Sequence, residues 1–304
     1  MDVPRRALLW LSERRQAQLL IQRAPLTWRV AGRFVAGEHT ADAVRAVREL
    51  NATGLDGILN LLGEGVVDRG GINGALAGYR EAIEAAARAA VRTSVTIKPS
   101  QIGAALDRSL CERNLRDIAA EARAAAIGIE VDMEHSDLVE ATVEAYLGAA
   151  IEPRPRLAVQ AALHRTRDDL RRLSASATPV RLVKGAYLES AEVALQHRDE
   201  VTRRYAELST ELLERGTDPA FATHDTSLIR HVIREARRLG RSHRSYEFQM
   251  LFGIRRDLQR QLAEHGYRVG VYVPFGSSWY PYLMRRLAER PANLRFFARA
   301  LLGG

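Results

Sequence analysis

Lysine is the rarest way this chain carries positive charge. Of 45 Lys and Arg residues only Lys98 and Lys184 are lysines, leaving 43 arginines. Codon composition accounts for such a bias. Yet both lysines close strand-like segments, Ser94-Val-Thr-Ile-Lys98 and Val180-Arg-Leu-Val-Lys184, where a compact ammonium differs from a planar fork. A lysine at a barrel strand end suits Schiff-base chemistry, the reading of a class I aldolase or lyase using Lys98 or Lys184. Asp132, Glu134, His135, His164 and His224 are divalent-metal ligands by type. Their spacing matches no recognised ligand signature, and each His is equally explained by a surface or hydrogen-bonded core position. A third chemistry is an anionic cofactor or substrate held by Lys184, Gly185 and the arginines. Spacing leaves all three open.

The elements that must position these residues follow from periodicity. Short apolar runs occur at Gly57–Leu62, Ser94–Lys98, Ile127–Met133, Leu157–Gln160, Val180–Lys184, Ala220–Thr223, Tyr246–Leu251 and Arg268–Val273. Most precede a helical-period stretch such as Gly78–Ala90, Arg113–Ala126, Asp137–Ala149 or Glu192–Arg215. Eight alternations at about 30 residues each predict an α/β fold, a (βα)8 TIM-type barrel. The competing open sheet of a dinucleotide binder is disfavoured, since no G-x-G-x-x-G occurs and no composition break divides the chain. One catalytic domain over 1–304 is expected, with a helical arm at 1–50 in which Thr40 caps a helix, and the barrel at 51–304. In such a barrel function sits at the carboxyl ends of the strands. Nearly every expected strand here ends on a polar or ionisable group, which points to an enzyme.

Composition narrows the classes further. Hydrophobic residues at 46% and charged residues at 27% describe an ordinary globular chain. A single cysteine, Cys111, excludes an intramolecular disulfide and a Cys-based zinc cluster. No apolar run is long enough to span a membrane, and the amino end is too short for a secretory h-region. A cytoplasmic enzyme is expected. The net charge of +8 is interleaved with acids and lacks aromatic–basic stacking patterns, so it reads as a solvated helix surface and nucleic acid is not an expected partner.

Several segments resemble the proline dehydrogenase family. They are Arg181-Leu-Val-Lys-Gly-Ala-Tyr187, Ala222-Thr-His-Asp225, Tyr246-Glu-Phe-Gln-Met-Leu-Phe-Gly253, Tyr272-Val-Pro-Phe-Gly276 and the stretch from Trp279 to Asn293. Arg33-Phe-Val-Ala-Gly-Glu38, Leu61-Leu-Gly-Glu64 and Asp132-Met-Glu134 add to them, all in family order. The resemblance is to the short, monofunctional bacterial type. It implies a flavin enzyme that oxidises L-proline to Δ1-pyrroline-5-carboxylate, the first step of proline catabolism, with FAD as hydride acceptor. It also implies a quinone-type electron acceptor and transient contact at the inner membrane.

Carried over residue by residue, the resemblance assigns substrate carboxylate binding to Lys98, Arg285 and Arg286, and walls for the proline ring to Tyr272, Tyr282 and Leu182. Tyr282, Arg285 and Arg286 fall at i, i+3 and i+4, on one helical face. Asp132 and Arg181 become the catalytic pair, with Arg181 a fixed cation beside the flavin. Met133, Gln160, Lys184, Gly185, Ala186, Tyr187, Thr223 and His224 match flavin contacts, Gly185 for close backbone approach and Lys184 for a phosphate. Glu64 matches a gate residue that pairs with the terminal-helix Arg. No metal is implied. Asn60, His135 and Ala162 depart from the family's pattern, and His164 has no assigned place.

Overall fold

Each of the eight apolar runs forms one strand, and in a computed structural model describing residues 28, 31–63, 66 and 68–289 the strands close into a parallel barrel in sequence order. The strands are β1 Asp56–Leu61, β2 Thr93–Ile97, β3 Gly128–Val131, β4 Arg156–Gln160, β5 Pro179–Val183, β6 Thr217–Ala222, β7 Glu247–Leu251 and β8 Arg268–Phe275. Closure runs through β1 and β8, which pair from Asp56↔Gly270 to Leu61↔Phe275.

Side-chain alternation sorts each strand into two faces. Leu59, Val95, Ile97, Val131, Leu157, Val159, Leu182, Phe221, Phe248, Val271 and Val273 are buried and belong to the main apolar cluster together with helix residues. That cluster fills the space between sheet and helices. The opposite parity, including Thr96, Glu130, Asp132, Arg156, Arg181 and Gln249, is polar and equally buried. The barrel axis therefore carries charge, and the apolar core lies outside it.

The helices are α1 Thr40–Asn51, α2 Arg69–Arg88, α3 Arg108–Ala124, α4 Val139–Gly148, α5 Thr166–Ser174, α6 Arg198–Arg215, α7 Thr226–Arg238, α8 Arg256–Glu264 and α9 Trp279–Glu289. Periodicity alone placed the start of α2 at Gly78. It begins nine residues earlier, because Asp68 caps it by accepting from Gly71 N (2.8 Å). Burial of Ile72, Ala75, Leu76 and Tyr79 outweighs the glycines of its first turns. Thr40 is the first helical residue of α1 and not its cap; His39 holds that place, with its backbone N–H donating to Asp42 Oδ2 (3.4 Å). The expected helix from Glu192 begins at Arg198, since residues 189–197 form turns that include the Leu163↔Ala194 bridge.

Two helices depart from the simple repeat. Helix α1 packs on the outside of β1 and β8, filling the place that the helix after β8 occupies in a regular barrel. Helix α9 is thereby released to lie at the carboxyl ends of the strands. It packs in a second apolar cluster of Trp279, Tyr280, Leu283, Met284 and Leu287 with Leu62 and with Ala31, Phe34 and Val35 from the chain before α1. Trp279 Nε1 fixes the arrangement by donating to Glu38 Oε1 (2.7 Å). Residues 1–27 of the expected arm lie outside the described residues.

The chain before α1 is seated against the turn after β7. Gly253 has φ +75°, and a Cβ there would lie 1.7 Å from the carbonyl oxygen of Arg33. Gly253→Ala combines left-handed strain with a backbone clash, a destabilisation of roughly 3 kcal/mol. The expected outcome is a thermal unfolding midpoint lower by about 6 °C; an unchanged midpoint would show that this segment is not seated there.

Candidate active site

The carboxyl ends of the strands and α9 enclose a cavity of about 650 Å³, a size typical of small-molecule sites. One end is walled by the bonded group Lys98, Asp132, Arg181 and Tyr272, and α9 adds Tyr282, Arg285 and Arg286 to the lining. The other runs over Gln160, Lys184 to Tyr187, Thr223 and His224. Residues from both ends of the chain thus meet at one mouth.

Asp132 is the centre of the first end. It follows β3, inward by parity, and is 8% exposed. Its Oδ2 accepts from Lys98 Nζ (2.6 Å) and Tyr272 OH (2.6 Å), and its Oδ1 from Arg181 Nη2 (2.6 Å) and Thr96 Oγ1 (2.9 Å). Burial by itself raises a carboxyl pKa, but Lys98 and Arg181, with the bonds from Lys98 and Tyr272, hold Asp132 well below the usual carboxylate range. Burial likewise disfavours the Lys98 ammonium, and Asp132 outweighs it, so Lys98 stays well above the ordinary lysine value. Burial and the neighbouring carboxylate both push the Tyr272 phenol up. The trio is an ammonium, a carboxylate and a neutral phenol.

A second layer fixes this geometry. The backbone N–H of Lys98 donates to Tyr79 OH (3.0 Å), and that hydroxyl donates to Gln101 Oε1, whose amide donates to Gly63 O (2.9 Å). Ser100 gives Glu134 two bonds, from its N (2.8 Å) and its Oγ (2.7 Å), while Gln160 Nε2 donates to Glu134 O (2.8 Å). Thr96, Tyr79, Ser100 and Gln101 were not singled out by motif. Thr96 had a signal, because it stands two residues before Lys98 and shares its face.

At the other end, Gly185 has φ +114°, and a Cβ would lie 3.2 Å from Ala162 Cβ and 3.3 Å from Gln160 Oε1. Only glycine leaves that cradle open. Lys184 Nζ donates to Thr202 Oγ1 (2.9 Å) and Asp225 Oδ2 (3.1 Å). Tyr187 packs on His135 with ring centroids 4.0 Å apart. His224 Nε2 accepts from Leu251 N (2.9 Å). Met133 and Ala186 also line the cavity.

One expectation needs correction. Leu182 does not wall the cavity: it alternates with Arg181 and Val183 along β5, so it faces outward, fully buried, into the sheet–helix core. Arg181 is held by Asp132 and approached by Glu130 Oε2 (3.4 Å). Glu64 lies outside the described residues. The acids and histidines considered as metal ligands are dispersed among separate partners, and among the described residues no group of three could hold a metal. His164 closes a turn, its Nε2 lying 3.1 Å from Ala191 O.

Comparison with known proteins adds independent information. A family model for proline dehydrogenase matches residues 43–299. A proline dehydrogenase of Deinococcus radiodurans is 38% identical, over 99% of this chain and 98% of that one. Proline dehydrogenase 1 of Bacillus subtilis strain 168 is 35% identical, over 90% of each. Among solved structures, proline utilization A from Bdellovibrio bacteriovorus, inactivated by N-propargylglycine, superposes with a TM-score of 0.81 at 23% identity. That alignment covers 86% of this chain but 33% of the other, and it speaks for the fold alone.

The Asp132 cluster predicts a pH-dependent stability difference. Asp132→Asn keeps the shape but leaves two buried cations with a neutral partner, a cost of roughly 3–5 kcal/mol. A depressed folded pKa gives stabilisation that is complete above the unfolded value of about 3.9 and is lost as pH falls through the folded value. The urea midpoint gap between wild type and Asp132→Asn should be constant from pH 7 to 5.5. By pH 3 it should narrow by the equivalent of roughly 1 kcal/mol. A gap as wide at pH 3 as at pH 7 would contradict the assignment.

Proposed function

The chain belongs to the proline dehydrogenase family, and from that premise we propose that it oxidises L-proline to Δ1-pyrroline-5-carboxylate with FAD as the hydride acceptor. One observation carries the reading: Lys98, just after β2, and Arg285 and Arg286 from α9 all line a single cavity. Three such cations suit a carboxylate, which planar arginine forks can bind through both oxygens. Tyr272 and Tyr282 line the same cavity and would supply aromatic walls for a five-membered ring.

The residues at the other end fit a flavin. The Gly185 cradle leaves room for close approach, and Lys184, with its neighbour Asp225, sits where a phosphate would need a cation. Gln160 has its amide nitrogen committed to Glu134 O, which leaves its carbonyl oxygen toward Gly185. FAD, when bound, would accept a hydride from the ring carbon next to nitrogen and pass the electrons to a quinone-type acceptor, reached by transient contact at the membrane.

The protein's own part is binding, orientation and electrostatics. Arg285, Arg286 and Lys98 would hold the carboxylate, so that the ring lies with one carbon toward the acceptor. Asp132 keeps Lys98 charged and Arg181 in place. With four donors already on it, Asp132 is a poor acceptor for the amine proton, so the substrate should react as the free amine and the reductive rate should rise from pH 6 to 9. A charged Lys98 is also a poor nucleophile, which leaves the Schiff-base aldolase without support at that residue.

The direct test is an absorbance spectrum of purified protein with and without L-proline. Flavin bands that bleach on addition of proline are expected; a colourless protein would overturn the reading. Arg286→Lys keeps the charge but loses the paired geometry. It should raise the proline KM roughly ten- to hundredfold, for a loss on the order of 1.5–3 kcal/mol, with flavin content unchanged. A proline analogue without its carboxylate should lose little further in that variant. Equal losses for both would mean the arginine acts on structure.

A further inference from the structure

Beneath the cavity the barrel axis holds a chain of alternating charges. Lys98 pairs with Asp132 (2.6 Å), Asp132 with Arg181 (2.6 Å), Arg181 Nε with Glu130 (3.4 Å) and Glu130 with Arg156 (3.1 Å). Arg156 then reaches Glu247 (3.5 Å) and Asp218 (2.5 Å), and Arg268 joins both of those acids at the floor. Four cations, Lys98, Arg181, Arg156 and Arg268, face four carboxylates, Asp132, Glu130, Glu247 and Asp218. All except Arg268 and Asp218 are less than a tenth exposed.

Stability alone does not call for such a column. Barrel interiors are ordinarily filled by layers of branched apolar side chains, and a buried ion network is often no more stable than its apolar replacement. The column does have an electrostatic consequence. Arg181 faces two carboxylates two residues apart on the same inward parity: Asp132, which it bonds at 2.6 Å, and Glu130, whose Oε2 lies 3.4 Å from its Nε, an ion-pair approach without a hydrogen bond. Glu130 cannot swing away: Gln249 Nε2 donates to both its oxygens (2.9 and 3.2 Å), Arg156 Nη1 donates to it (3.1 Å), and Ser94 Oγ lies 3.5 Å off.

We propose that Glu130 acts on the site through Arg181, offsetting its charge, so that the balanced column below the site sets how strongly the site favours negative charge above it. This rests on the reading of Arg181 as a neighbour of the flavin. Hydride transfer leaves negative charge on the reduced ring, and a fixed cation nearby stabilises it. A cation matched by two buried carboxylates stabilises it less than a bare one. Glu130 thus holds the potential of the flavin down, keeping the reduced form able to give up its electrons.

Glu130→Gln is nearly isosteric and keeps a carbonyl oxygen for Gln249 and Arg156, but it removes one negative charge from the column. The measurement is the midpoint potential of the holoenzyme at pH 8 by dye-coupled reductive titration, beside flavin content. The expected result is normal flavin content and an equilibrium for flavin reduction at least tenfold more favourable, about 30 mV for a two-electron couple. Glu130→Asp keeps the charge and should stay within threefold of wild type. A potential in Glu130→Gln within threefold of wild type overturns the proposal. So does a Glu130→Asp shift as large as that of Glu130→Gln, because packing would then be the cause. If Glu130→Gln does not fold, Glu247→Gln removes a charge one layer lower and should give a smaller rise; no rise there overturns the proposal. Wild-type protein without flavin bands would instead overturn the proposed function.

Discussion

A carboxylate buried at the end of β3 takes donors from three other strands, and the rest of the site is arranged around satisfying it. Lys98 comes from the end of β2, Arg181 from β5 and Tyr272 from β8, and all three reach Asp132 at 2.6 Å. Lys98 left without Asp132 would be an uncompensated buried cation, Arg181 would keep only Glu130 at 3.4 Å, and Asp132 without them would be an uncompensated buried charge. The contacts therefore require closure of the sheet, since β2, β3, β5 and β8 come together only when the barrel is complete. Fold and site are specified by the same pairs.

A charged interior is affordable because the hydrophobic driving force acts elsewhere. The outward parity of the strands, with Ile97, Val131, Leu182, Phe221 and Phe248 fully or almost fully buried, packs on the helices and forms the main core. The axis can then be polar without removing that contribution. The displacement of the last helix follows the same logic. With α1 covering β1 and β8 from outside, α9 buries its apolar side on Leu62, Phe34 and Val35 and presents Tyr282, Arg285 and Arg286 to the cavity. The residues before the barrel are what allow its final helix to reach the site.

Much of this was legible from pattern. All eight strands lie within a few residues of the apolar runs, because a strand buried on its outer face and closed by turns has few alternatives. The placement of Lys98, Asp132, Arg181 and Tyr272 at one mouth follows from barrel geometry once the strands are counted. Leu182 was misread because it lies inside a family motif, and motif membership says nothing about which face a strand residue takes; strict alternation with Arg181 would have placed it in the core. Glu130, Arg156, Glu247 and Arg268 lie below the strand ends, where barrel geometry alone predicts no function. Their signal was the same alternation: Glu130 stands two before Asp132, and Glu247 two before Gln249. The cap of α1 was not legible from apolar periodicity, since it depends on a single polar contact; the start of α2 does carry that periodicity, in Ile72, Ala75, Leu76 and Tyr79, but the glycines among them mask it.

Lys98 can now be given a physical reason that codon composition does not supply. Lys98 Nζ sits between Asp132 Oδ2 (2.6 Å) and Tyr272 OH (3.5 Å), in a space where Arg181 already presents its guanidinium to the other oxygen of the same carboxylate. A second planar fork would have to share that carboxylate edge to edge with the first. A tetrahedral ammonium takes one oxygen and keeps its remaining donors for other partners. Lys184 Nζ likewise bridges two acceptors from different helices or their caps, Thr202 Oγ1 at 2.9 Å and Asp225 Oδ2 at 3.1 Å. Serving several acceptors does not by itself call for lysine, since Arg156 reaches Glu130, Glu247 and Asp218 from three strands; what sets Lys98 apart is that the carboxylate it must share already carries a planar fork.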